Sequence, residues 1–250
     1  PCWPWHSGPA ATFDSLFARA MLQANRVQEA AAQSPQLSLI TSQVKPNQLL
    51  AWSARVEGVV GALLGNEGSH ALDGQLDNID ELHDASFRMM SLHHFFDNRL
   101  RSSLHGESQA GLTPVGEQAV LNMQKKGIMI DVAHSSEATV RDTLRVTAGD
   151  ALIVSHTGFD GHCPSPRHIS DKTMALITEA GGLIGVGFWS DVTCGGGIEA
   201  IASAIQCGVD HIALGSDWDG SVTTPIDASQ LPHLTQALLD AGLTQTEVRA

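Results

Sequence analysis

Glu67, His94, His134, His156 and Asp217 share one feature of position: each stands at or just past the end of a short, mostly apolar run. The runs are residues 59–64, 87–92, 128–133, 151–155 and 212–216, and a sixth, 183–188, ends at Trp189. Imidazoles and carboxylates are the ordinary ligands of a borderline-soft divalent metal, and two histidines from neighbouring strand ends can meet one zinc ion at ~2.0–2.1 Å. Either histidine alone fits an inert, hydrogen-bonded strand end equally well. Together with a carboxylate that can bridge two ions (Glu67) and one that can move protons beside activated water (Asp217), they point to metal-assisted hydrolysis. Glu67 lies between Asn66 and Gly68, where small neighbours let ligands approach. Asp219, two residues after Asp217 and next to Gly220, better suits a turn. Arg167 follows the stiff Pro164-Ser165-Pro166 segment 11 residues after His156, and its guanidinium fork could grip a carboxylate with two hydrogen bonds. The chain has no GxSxG elbow and no cysteine in an activating motif, so a covalent nucleophile has little support.

Such groups need a scaffold that brings strand ends together. The apolar runs read as parallel strands buried on both faces, separated by helix-like segments. Helices are predicted over 13–33 and 46–56, after the Thr113-Pro114 pair up to Gly127, after Ser136 over 137–146, after Ser170 over 171–180, and over 198–207. A further short strand is predicted over 37–40. From Glu67 to His94 is 27 residues, from His94 to His134 is 40, from His134 to His156 is 22 and from His156 to Asp217 is 61. These steps suit one or two βα units each. Reactive groups at many successive strand ends converge in a barrel, whereas an open doubly wound sheet would spread them along an edge. No GxGxxG opens a helix after a strand, which leaves nucleotide binding without support. The fold predicted is therefore α/β, a (β/α)8 TIM-like barrel, with residues 1–250 as one domain.

Composition sets the outer bounds. With 42% hydrophobic and 16% charged residues over 250 positions, the chain is globular rather than disordered. The net charge of −13 argues against nucleic acid or an anionic membrane surface as partner, and no apolar run is long enough to be a membrane segment. Four cysteines (Cys2, Cys163, Cys194 and Cys207) without a CxxC pair read as free, mostly buried thiols. Thr244 and Glu247 form a capping box only a few residues before the last, and Pro1 is not an initiator, so both ends are expected to be cuts in a longer protein.

Gly65-Asn66-Glu67-Gly68-Ser69-His70, Asp131-Val132-Ala133-His134, Ser155-His156-Thr157 and Gly215-Ser216-Asp217-Trp218-Asp219-Gly220 resemble, in that order and spacing, the renal (membrane) dipeptidase family of zinc peptidases. The segments from Arg88 to Asn98 and from Gly111 to Pro114 resemble its bacterial members. The resemblance runs from about Gly58 to the C-terminus. It implies a barrel with two zinc ions that hydrolyses dipeptides through a metal-bridging hydroxide. It also implies roles: Glu67 bridging the metals, His134 and His156 binding one of them, His94 contacting substrate and the tetrahedral intermediate, Arg167 holding the substrate carboxylate and Asp217 handling the proton. A Cys163–Cys194 disulfide, as in animal members, is implied as well. The family's His-x-Asp pair at the first strand end, which supplies ligands to the other zinc, has no counterpart in this chain. The expectation is a barrel lacking its first strand and last helix, with two zincs in the parent and perhaps one here, and a homodimer paired through exposed helices or loops. The open alternatives are another metal-dependent amidohydrolase-like barrel hydrolase, acting on a lactone, cyclic amide or phosphoester, and a catalytically incomplete fragment with only a binding role.

Overall fold

The structure is a computed structural model and describes residues 9–42, 58–150, 152–206, 208–218 and 220–249. The helix predicted over 46–56, Cys2, Cys207 and Asp219 lie outside the described residues.

The chain opens with helix α1 (Leu16–Gln33) and strand β1 (Leu37–Leu39), followed by β2 (Val60–Ala62) and β3 (Leu64–Asn66). Then come α2 (Asn78–Asp84), β4 (Phe87–Ser91), α3 (Pro114–Lys126), β5 (Met129–Asp131), α4 (Glu137–Val146) and β6 (Ile153–Thr157). The last part holds α5 (Asp171–Glu179), β7 (Leu183–Val186), α6 (Ser190–Thr193), α7 (Ile198–Gln206), β8 (Ile212–Leu214), α8 (Leu231–Asp240) and α9 (Gln245–Arg249). Strands β3 to β8 form one parallel sheet in chain order, and β1 pairs in parallel with β2. Each strand therefore lies beside its sequence neighbour, the winding of a barrel, with none of the order reversal that marks a doubly wound sheet. Among the described residues β8 does not pair back to β1, so the barrel is not closed.

The run at 59–64 is two strands rather than one. The chain bends at Leu63, pairing with β1 before it and with β4 after it. Staggered pairing of this kind is what strand tilt in a barrel produces, and alternation of residue types carries no signal for it. The helix starts follow local chemistry. Thr113 Oγ1 accepts from Gly116 N–H at 3.0 Å with Pro114 in the first turn, and Gly127 closes α3 at φ +68°. Ser136 and Ser170 accept from the N–H groups of Thr139 and Thr173. Each such cap contributes about 1 kcal/mol.

Fully buried side chains from the strands and the linking segments (Met90, Leu92, Leu152, Ile184 and Phe188) pack with Ile79, Leu82, Met123, Ile177 and Ile201 from the helices in one continuous core. Cys163 and Cys194 are joined in a disulfide, which corrects the free-thiol reading for these two; pairing across 31 residues leaves no local mark in the sequence. No helix among the described residues is long and apolar enough to cross a membrane.

Close strand approach depends on Gly185 in β7. A Cβ there would lie 2.1 Å from the Ser155 carbonyl oxygen of β6, and one on Gly215 would lie 2.3 Å from the same atom. A backbone atom cannot rotate away, so Gly185→Ala should destabilise the protein by about 2–3 kcal/mol, the upper part of the range for overpacking. Urea denaturation of the variant checks this; an unchanged midpoint would mean that the strands are not this close.

Candidate metal centre

Glu67 follows β3 directly, on a turn that Gly68 makes at φ +84°. A side chain on Gly68 would press on His70 and on His94 at 3.1 Å each, so the glycine lets His94 come up beside Glu67. His134 lies three residues past β5 at φ +59°, a left-handed conformation that costs a non-glycine residue ~1–2 kcal/mol. His156 is the fourth residue of β6. Both histidines are buried, while Glu67 is half exposed.

Their donor atoms converge. Glu67 Oε1 lies 3.2 Å from His134 Nε2 and 3.2 Å from His156 Nε2, and the two Nε2 atoms are 3.1 Å apart. Among the described residues these three are the one group of histidine, cysteine or acidic side chains placed to hold a metal ion together. Burial, opposed by the contact with Glu67, takes His134 down to about 3, so its ring is neutral near pH 7 and Nε2 can offer a lone pair. Burial alone would raise the Glu67 carboxyl; contacts with His134 and His156 outweigh it and hold the group well below the carboxylate range.

The tautomer of His156 is set by a relay. Buried Asp131 accepts from Ala133 N–H and Ser155 N–H, each at 2.9 Å, and from Ser155 Oγ–H at 2.7 Å. With its proton given to Asp131, the Ser155 hydroxyl accepts from His156 Nδ1–H at 2.8 Å. Nε2 is then left unprotonated and aimed at Glu67 and His134. Burial pushes the Asp131 carboxyl up, against three donors that favour its charged form. His134 has no such anchor. Its Nδ1 is buried without a hydrogen-bond partner among the described residues, and the rings of His94, Phe95 and His105 pack around it.

The remaining groups lie around this triad. His94 Nε2 is 3.8 Å from Glu67 Oε2, the oxygen not paired with His134 and His156. Arg167 donates to His134 Nε2 at 3.1 Å and to the His156 carbonyl at 3.3 Å, with its guanidinium 5.5 Å from the ring centre of Trp189. Burial lowers the Arg167 pKa, and the negative charges of Glu67, Asp217 and Asp131 counter it. Asp217, at φ +56°, feels the charges of His156, Glu67, Arg167 and His94; burial, reinforced by Glu67, pushes its carboxyl up. Trp218 fixes this turn by donating to the Ile226 carbonyl at 2.9 Å and packing edge-on against Phe188. Gly220 leaves room for Asp217, since a Cβ there would lie 2.0 Å from Oδ1.

The sequence profile of the membrane dipeptidase family, peptidase family M19, matches residues 1–250. The chain belongs to this family. Dipeptidase aclJ of Aspergillus oryzae is 31% identical over 202 residues, which is 75% of this chain and 48% of that protein. The chain thus spans about half the length of that curated relative. The fold is similar to a metallo peptidase from Rhodobacter sphaeroides, solved with a phosphinate mimic of the dipeptide L-Ala-D-Ala, at TM-score 0.79 and 22% identity, covering 91% of this chain and 69% of that one. It is also similar to an amidohydrolase from Pseudomonas aeruginosa, at TM-score 0.80 and 20% identity, covering 93% and 79%. These neighbours share the TIM-barrel-like architecture.

Within this M19 chain, Glu67, His134 and His156 converge, His94 and Arg167 contact them, and Asp217 is near enough to feel their charges. The same reading missed Asp131 and Ser155 as orienting groups. The signal was present in Asp131, three residues before His134, and in Ser155, directly before His156, but only strand pairing brings the two side chains together. His93, next to His94, was passed over as well. It is fully buried, with Nδ1 3.1 Å from Ser135 Oγ and Nε2 unpartnered among the described residues.

Burial takes the His93 ring from the ordinary 6.5 to about 4. The unfolded chain then binds more protons between those values, so stability is full above pH 6.5 and is lost as pH falls toward 4. The loss from this group is on the order of 3 kcal/mol. Denaturation of the metal-free protein at stepped pH checks this: His93→Asn should flatten the slope in that window, and an unchanged slope would remove His93 as its source.

Proposed function

We propose that this chain carries the centre of a zinc-dependent dipeptidase that cleaves the peptide bond of a dipeptide by activated water, and that residues 1–250 act as one catalytic barrel domain. The observation that carries this reading is the triangle of Glu67 Oε1, His134 Nε2 and His156 Nε2 with edges of 3.1–3.2 Å. A tetrahedron whose centre lies ~2.0 Å from each ligand has an edge of about 3.3 Å, so the three atoms suit one zinc ion with a position left open. Glu67 Oε2 stays outside the triangle and faces His94.

Zinc held by Glu67, His134 and His156 would supply Lewis acidity, polarising the scissile carbonyl and lowering the pKa of water toward ~7. The chain's own groups do the rest. Asp217, whose carboxyl burial has already raised, accepts the proton of the attacking water at a carboxylate oxygen and returns it to the leaving amine. His94, beside Glu67 Oε2, donates to the oxygen on which negative charge develops; such a donor contributes roughly 3–4 kcal/mol. Arg167 binds the free carboxylate with a guanidinium held against Trp189, which favours short substrates ending within reach. The family match and the dipeptide mimic bound by the Rhodobacter sphaeroides neighbour support this substrate class.

Asp217→Asn tests the assignment. The variant should keep the zinc content of the wild type and lose about 10²–10⁴-fold in kcat on dipeptides, the usual contribution of a positioned general base. Elemental analysis and steady-state kinetics read both quantities. Full turnover in the variant would take the proton-transfer role away from Asp217.

A further inference from the structure

The loop between β4 and α3 forms one wall of the site. It is tied in place from several sides. The Asp97 carboxylate accepts from Ser103 N–H at 2.9 Å and Ser108 N–H at 3.1 Å, and a Cβ on Gly106 would overlap Asp97 Oδ1. Ser103 Oγ–H donates to the His94 carbonyl at 2.6 Å, and Leu104 N–H donates to the His134 carbonyl at 2.6 Å. Gln109 Nε2 donates to the carbonyls of Leu104 and Gly106. Loop and metal ligand are thus joined through main-chain atoms, which fixes what the loop presents.

It presents two rings. Phe95 and His105 lie 5.4 Å apart between centres at a 35° tilt, 5.3 Å and 5.8 Å from the His134 ring, and Phe95 lies 4.6 Å from His94. Phe95 remains 50% exposed although it touches a buried ligand histidine, so an apolar face is open beside the reacting centre. The His105 ring makes no hydrogen bond among the described residues, and it is close enough to Arg167 and His94 to feel the charge of both. Both rings thus rest against His134, whose Nε2 accepts from Arg167, and Phe95 also packs against His94.

We propose that Phe95 and His105 form the wall of the pocket that receives the side chain of the dipeptide's C-terminal residue and set which residue is accepted there. This rests on the reading that Arg167 binds the substrate carboxylate: the residue bearing that carboxylate must project its side chain close to the His134 ring, which Arg167 and the two aromatic rings all contact. An exposed phenyl face beside the flat face of an imidazole favours a branched aliphatic side chain over glycine, because burying that side chain removes apolar area from water on both partners.

The test compares kcat/KM for Ala-Leu and Ala-Gly in the wild type, Phe95→Ala and His105→Ala, with zinc per chain measured on each protein. The wild type should prefer Ala-Leu. Each variant should lower that preference, by about tenfold for Phe95→Ala, mainly through KM, as expected for loss of one apolar contact surface. Zinc content should match the wild type. An unchanged preference in active variants would overturn the proposal and leave the dipeptidase reading intact. So would a change that follows the N-terminal residue, read from Leu-Ala against Gly-Ala. Loss of zinc with activity in both variants would make the rings supports for His134 and would also overturn it. A zinc-loaded wild type that cleaves no dipeptide would instead bring down the functional reading, and this proposal with it.

Discussion

Three lone pairs aimed at one point are the constraint around which this molecule is arranged. Glu67 Oε1, His134 Nε2 and His156 Nε2 lie within 3.2 Å of one another, and none of them can donate to the others without giving up the tautomer or charge that its surroundings impose. Without a cation the cluster is favourable only where a histidine turns a proton toward Glu67, the kind of contact that lowers the Glu67 carboxyl. In the protein alone, the Arg167 guanidinium supplies part of the compensation by donating to His134 Nε2. The Asp131–Ser155–His156 relay works the other way, holding His156 as an acceptor at the cost of burying a carboxylate. A site that only stabilised the fold would be better served by apolar side chains of similar volume. Strain points the same way: His134 and Asp217 both adopt left-handed backbone conformations at strand ends, where the turn carries the side chain into the site.

The sheet makes the convergence possible. Parallel neighbours in chain order place consecutive strand ends side by side, so Glu67, His134 and His156 come from strands β3, β5 and β6 without a long excursion of the chain. Gly185 and Gly215 allow β7 and β8 to close on the Ser155 carbonyl, which draws the Asp217 turn toward the same end. The Cys163–Cys194 disulfide joins the segment leading to Arg167 to the turn after Trp189, the ring on which Arg167 rests. Closing a loop of this length contributes roughly 3–4 kcal/mol by chain entropy. The same bond therefore supports the fold and the register of the arginine.

Much of this was legible in the residues themselves. Where an apolar run meets a polar residue, the boundary marks a strand end, and Glu67, His94, His134, His156 and Asp217 were found in that way. The caps at Thr113, Ser136 and Ser170 are local chemistry and were read within a residue or so of their observed limits. Features that depend on what lies across space were not legible. The bend at Leu63 reflects a change of pairing partner. The role of Asp131 depends on the β5–β6 register, which sets it opposite Ile153 and within reach of Ser155. Phe95 and His105 face the site only because Asp97 and Gln109 fold their loop back on itself. The Cys163–Cys194 disulfide has no local motif and was reached only through the family resemblance, which the structure bears out.

Metal content of the purified chain tests the central claim most directly. The protein would be incubated with zinc, dialysed and analysed for metal per chain, beside His156→Ala with folding checked by circular dichroism. The account predicts at least one tightly held zinc per wild-type chain and almost none in the folded variant. A folded wild type that retains no metal, or a variant that retains as much as the wild type, would contradict it.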